Sequence, residues 1–176
     1  ELVKSGKPVV LVLLSGSALA VPYADAHIPA ILQGWYPGAR GGKAIADILF
    51  GEASPEGKLP VTFYRTTEEL PDFKDYSMKN RTYRYMKQEA LYPFGYGLSY
   101  TEFEITDSNI SAETIEKGGQ VTVMATLKNT GKMEGAETVQ VYIHACTEDA
   151  PNFQLKALKK VTLGPGGEQV VSLTLT

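Results

Sequence analysis

The hydrophobic period of this chain changes near Tyr100, and that change limits what it can fold into more than any other feature. Beyond it, Val121, Val123, Ala125 and Leu127 alternate with Thr122, Met124 and Thr126, and Val139, Val141 and Ile143 alternate with Gln140, Tyr142 and His144. A period of two sends successive side chains to opposite faces, the pattern of strands with one face on a core. The turn Asn129-Thr130-Gly131-Lys132 separates these runs, and Gly164-Pro165-Gly166-Gly167 separates two more, at 158–163 and 170–175. Strands at this spacing predict a β-sandwich of fibronectin or immunoglobulin type. About five strands can be counted in 103–176 where such a module carries about seven, so the module is expected to be incomplete.

The first half reads differently. Residues 9–14, Val-Val-Leu-Val-Leu-Leu, form an unbroken aliphatic run, which predicts a strand buried on both faces of a parallel sheet. A second short strand is expected at 30–33, after a stretch (18–27) that could hold a short crossover helix broken by Pro22. This order is an α/β signature. From Gly41 the period becomes helical, with Ala44, Ile45, Ile48 and Leu49 on one face, Lys43 and Asp47 outward, and Gly51 where a left-handed cap belongs. Residues 59–63 read as an edge strand. Residues 66–89 read as a long ordered loop, because Phe73, Tyr76, Tyr83 and Tyr85 are too many aromatics for a disordered linker. The expected division is 1–98, an α/β sandwich portion whose last part (about 65–98) is a wrapping loop, and 99–176, the β-sandwich.

With 17 basic against 20 acidic residues and a formal charge of −3, the chain offers no electrostatic footprint for nucleic acid or an anionic membrane. The longest apolar run is too short to span a bilayer. A single cysteine, Cys146, leaves both reducing and oxidising compartments open, so bacterial cytoplasm and secreted or periplasmic locations are equally compatible. Residues 1–4 read like the end of a helix entered midway, without an initiator methionine, and the chain is expected to be a fragment.

Three motifs, in order, carry a resemblance. They are Gln33-Gly34-Trp35-Tyr36-Pro37-Gly38 running into Gly41-Gly42-Lys43, then Gly57-Lys58-Leu59-Pro60-Val61-Thr62-Phe63, then Tyr92-Pro93-Phe94-Gly95-Tyr96-Gly97-Leu98-Ser99-Tyr100. Together they resemble the C-terminal half of family 3 glycoside hydrolases, the β-glucosidases and β-xylosidases, over nearly the whole chain. The resemblance implies a retaining enzyme that removes terminal β-linked glucose or xylose through a covalent glycosyl-enzyme, using two carboxyl groups about 5 to 5.5 Å apart and no cofactor. It also implies that the nucleophilic aspartate lies in a barrel domain of the same protein and the acid/base glutamate upstream of residue 9. No catalytic residue is therefore carried over to this chain, and the barrel and a glycoside or oligosaccharide are the implied partners. The forms at 33–38 and 81–85 look closer to the xylosidase branch.

Trp35 and Tyr36 are the candidate sugar contacts, since an aromatic face stacks on the apolar side of a pyranose and a loop after a parallel strand lies where ligands bind. The alternative is that Trp35 anchors packing between domains. Arg84, in the basic and aromatic run Arg81-Thr82-Tyr83-Arg84-Tyr85, is the third candidate, as an interface or substrate-rim residue or as plain structure. Glu52, Glu56, Glu68, Glu69, Asp72 and Asp75 read as solvated loop carboxylates. The glycines at 38, 41 and 42 lack the lysine-serine pair of a phosphate loop and read as a tight turn. His27 and His144 have no metal-ligand spacing around them, and no metal site is assigned. Cys146 reads as a small buried hydrophobe. Two other readings stay open: a non-catalytic carbohydrate-binding or adhesion module, for which aromatic platforms after Phe103 are sparse, and a nucleotide-binding α/β protein, which lacks the phosphate fingerprint.

Overall fold

A computed structural model describes residues 1–147 and 150–176. It divides the chain into two compact units, one made of Glu1–Glu52 and Leu59–Tyr96, the other of Ala53–Lys58 and Gly97–Thr176.

In the first unit β1 (Val10–Leu13) pairs in parallel with β2 (Ala30–Gln33), Val10 opposite Ala30 and Leu13 opposite Gln33. The expectation of burial on both faces fails: Val10 is 45% and Leu14 57% exposed, because two strands give each face only partial cover. Between the strands runs α1 (Pro22–His27), in which Pro22 begins the helix. Proline suits the first helical position, where its missing N–H is one of the donors a helix start leaves unpaired, so it does not break the element here.

The helix α2 (Gly41–Leu49) closes as anticipated. Gly51, at φ +78°, donates to the Ile48 carbonyl (3.1 Å) and Glu52 donates to Asp47 (2.8 Å), the paired bonds of a Schellman end. Lys43 and Asp47 meet on the solvent side at 2.6 Å. The predicted apolar face is only half covered: Ile45 and Ile48 are partly buried, whereas Ala44 and Leu49 are exposed.

Residues 59–63 do not form a strand. Pro60 and Pro93 remove two donors from this pairing, leaving one bridge between Phe63 and Tyr92 and, further along, bonds from Leu59 to Tyr96 and from Gly95 to Leu59. Of 66–89, only Thr67–Glu69 and α3 (Thr82–Tyr85) are helical.

The second unit holds β3 (Phe103–Ile110), β4 (Val121–Asn129), β5 (Gly135–Ile143), β6 (Gln154–Leu163) and β7 (Glu168–Leu175). They form antiparallel sheets in the orders β3-β4-β7 and β5-β6. Leu127, Val139, Val161, Leu163 and Val171 meet between the sheets, with Phe103 and Leu173 packed against them. That is the sandwich the alternation predicts. Asn129, fully buried, ties it together: its amide donates to the carbonyls of Met133 (2.9 Å) and Leu163 (2.8 Å), while its Oδ1 accepts from Thr101 Oγ1 (2.7 Å) and the Gly131 N–H (3.0 Å). Cys146 lies beyond the end of β5 and is exposed, which corrects the buried reading.

Candidate functional site

The carboxyl ends of β1 and β2 gather the chemistry of the first unit. In α/β folds this edge is where loops diverge and ligands bind. Gln33, the last residue of β2, reaches across to the loop after β1, where its Nε2 donates to Ser15 Oγ at 3.1 Å. Its Oε1 is buried without a partner. A Cβ on Gly34 would lie 2.9 Å from Leu14 Cδ2, so a side chain there would require the exposed Leu14 side chain to shift.

Trp35 follows in the left-handed region at φ +50°. For a bulky residue this conformation costs on the order of 1–3 kcal/mol and persists only where packing over-determines it. The indole is half-buried and meets Phe63 edge-on, ring centroids 6.2 Å apart at 74°. Phe63 is 1% exposed. Tyr36 is 81% exposed, and its ring lies over Gly16, where a Cβ would come within 2.6 Å of Cε2 and the hydroxyl oxygen and 2.8 Å of Cζ. The turn that follows is as tight as its glycines suggest: Gly38 has φ +70° and a Cβ on Gly41 would strike Pro37 at 2.5 Å.

The third candidate occupies a different element. Arg84 sits on α3 with its guanidinium 5.8 Å from the centre of the Tyr85 ring, while Tyr83 stacks on Phe94 at 4.2 Å. The structure thus places Trp35 and Tyr36 on one loop and Arg84 on a separate helical turn. Ser15, Gly16 and Gln33, which complete the edge around Trp35, were not among the candidate contacts, Gln33 having entered only as the start of the first motif. A glycine in the loop just beyond a buried-looking strand is a signal of close approach that could have found Gly16.

The loop carboxylates have local work. Glu56 pairs with Lys160 at 2.7 Å, Glu69 accepts the Arg65 N–H, and Asp72 and Asp75 accept the N–H groups of Lys74 and Ser77, both at 2.8 Å. The two bonds from Ser77 hold the Asp75 carboxyl below the usual range. Asp25 accepts the Tyr92 hydroxyl at 2.6 Å, and partial burial together with that bond raises the Tyr92 phenol well above its ordinary value. Among the described residues no three His, Cys, Asp or Glu side chains are grouped to hold a metal ion. His27 instead stacks on Tyr23 at 4.2 Å.

Comparison with known proteins matches residues 1–100 to the glycosyl hydrolase family 3 C-terminal domain and residues 137–176 to the fibronectin type III-like domain. The chain is 45% identical to a xylan 1,4-beta-xylosidase of Xylanibacter ruminicola over 98% of its own length and 20% of that protein's. It is 41% identical to a periplasmic beta-glucosidase of Salmonella typhimurium, over 97% of this chain and 24% of the relative. Among solved structures, beta-glucosidase 3B of Thermotoga neapolitana in complex with glucose superposes with a TM-score of 0.84 at 34% identity, covering 98% of this chain and 26% of that one. The chain spans about a fifth to a quarter of the length of these relatives.

Proposed function

The chain belongs to glycosyl hydrolase family 3, and on that premise we propose that it serves as the C-terminal part of a retaining β-glycosidase acting on terminal, non-reducing β-linked glucose or xylose. The carrying observation is the alignment of nearly all of this chain with two enzymes named for those activities, each at least four times its length. In this reading the first unit is scaffold and active-site wall, with Trp35, Tyr36 and Arg84 facing the sugar. A barrel elsewhere in the protein supplies the nucleophilic aspartate, and a segment upstream supplies the acid/base glutamate.

The geometry supports a non-catalytic share for this chain. Double displacement needs one carboxylate to attack the anomeric carbon and another to protonate the leaving oxygen, held about 5 to 5.5 Å apart. Of the 20 acidic residues, Asp25, Asp47, Glu56, Glu69, Asp72, Asp75 and Glu137 are engaged in hydrogen bonds or ion pairs of the scaffold. The test is to assay the 176-residue chain and the longer polypeptide on aryl β-glucoside and aryl β-xyloside. The longer protein should turn over at least one, with retention of anomeric configuration, and the chain alone neither. Turnover by the chain alone, abolished by changing one of its own acids, would overturn the assignment. Oligosaccharide binding by the chain, with no hydrolysis by the longer protein, would instead favour a carbohydrate-binding module.

A further inference from the structure

The left-handed backbone at Trp35 has to be held by its surroundings, and the contacts that hold it follow one line of rings through the first unit. Tyr36, its neighbour in sequence, lies instead over Gly16. The indole rests on Phe63, which is sealed from solvent and therefore has little freedom to adjust. Phe63 in turn meets Tyr92 at 6.0 Å and 61°. The two are also joined through the backbone, since the Phe63 N–H donates to the Tyr92 carbonyl and the Leu91 N–H to the Phe63 carbonyl, both at 2.9 Å. Tyr92 is fixed from two further sides: its ring stacks on Tyr96 at 5.5 Å and 16°, and its hydroxyl donates to Asp25 on α1 at 2.6 Å.

We infer that Tyr92 is a positioning residue for Trp35: held by Asp25 and Tyr96, it fixes Phe63, and Phe63 sets the orientation of the indole at the carboxyl end of β2. Residues 35, 63 and 92 are far apart in sequence, and 25 lies on α1 while 35 follows β2, so this line is a tertiary device. Its consequence for catalysis rests on the proposed sugar-facing role of Trp35. The positioning itself does not.

Trp35 is the only tryptophan, so its fluorescence and near-ultraviolet circular dichroism report directly on the device in the 176-residue chain. Tyr92→Leu should shift Trp35 emission to the red, increase its quenching by acrylamide and flatten its near-ultraviolet bands, with far-ultraviolet dichroism retained. Tyr92→Phe and Asp25→Asn keep the ring and should cause a partial loss of the same bands, which keeps the test decisive if Tyr92→Leu does not fold. Tyr83→Leu removes a stacked ring of the same unit outside the line and should leave the Trp35 signals as they are. Unchanged Trp35 spectra in folded Tyr92 variants, or an equal change in Tyr83→Leu, would overturn the inference. In the longer enzyme Tyr92→Phe should raise KM for the aryl glycoside with kcat held. Altered Trp35 spectra with unmoved KM would uphold the positioning and overturn the sugar-contact reading of Trp35.

Discussion

Replacing Trp35 by alanine and, separately, by glycine separates two energies that the structure superposes at this position. Truncating a core Trp or Phe to Ala costs about 3–5 kcal/mol, and the half-buried indole lowers that to about 2–3, including the edge-on contact with Phe63. Alanine inherits the φ of +50° and its steric cost, about 1–2 kcal/mol for an L-residue. Glycine loses the same packing, escapes that cost, and pays about 0.5–1 kcal/mol in backbone entropy. The balance puts Trp35→Gly about 0.5–1 kcal/mol above Trp35→Ala in stability, the reverse of the usual order. Urea midpoints followed by far-ultraviolet dichroism give both numbers, since neither variant retains a tryptophan to report. A glycine variant less stable than the alanine variant by the ordinary 0.5–1 kcal/mol or so would refute the claim that packing holds Trp35 in a strained backbone.

Asn129→Ala should destabilise the sandwich by about 3 kcal/mol or more in denaturant titration, because it strands buried partners at Thr101 and Leu163 and part-buried ones at Gly131 and Met133 together. Gly97→Ala should cost about 1–3 kcal/mol in the same assay, since a Cβ there would lie 2.1 Å from the Gly57 carbonyl oxygen and only backbone movement can relieve it. The Tyr92 phenol is raised in the folded state, so its contribution is complete below the unfolded value near 10 and is lost as pH rises above it. Melting temperature measured from pH 8 to 11 should therefore fall more steeply above pH 10 for the natural chain than for Tyr92→Phe. Parallel curves would contradict the sign of that linkage.

Local rules carried most of the fold. The bounds of β2, the Schellman end at Gly51, and the five strands of the sandwich follow from patterns a few residues wide, which is the range over which period and turn chemistry act. The misreadings came where a local signal has two outcomes. Pro22 can break a helix or start one, and the backbone preceding it decides. Residues 59–63 have strand composition but lack a continuous donor row, because of Pro60. Cys146 continues the apolar texture of β5 but falls after the ladder has ended at Ile143. At the candidate site, Trp35 and Tyr36 could be named as candidates from their place after a strand. The left-handed φ of a tryptophan and the rings that hold it could not, since they depend on four segments meeting.

The motifs that identify the family most clearly turn out to be occupied with structure. Gly97 lies against Gly57; Lys58 donates to the Gly97 carbonyl (2.8 Å) and pairs with Glu137 (2.9 Å) on β5; Ser99 shares a hydrogen bond with the buried Ser54, which also accepts from the Tyr100 N–H. Gly38 and Gly41 serve the turn into α2 in the same way. At Gly97 and Gly41 the obstacle to a side chain is steric, and at Gly38 it is the left-handed backbone. Tyr36, which belongs to the same first motif, is by contrast exposed and free of that steric constraint. A motif whose residues are held by such packing therefore identifies the scaffold, and the scaffold alone does not assign the function built on it.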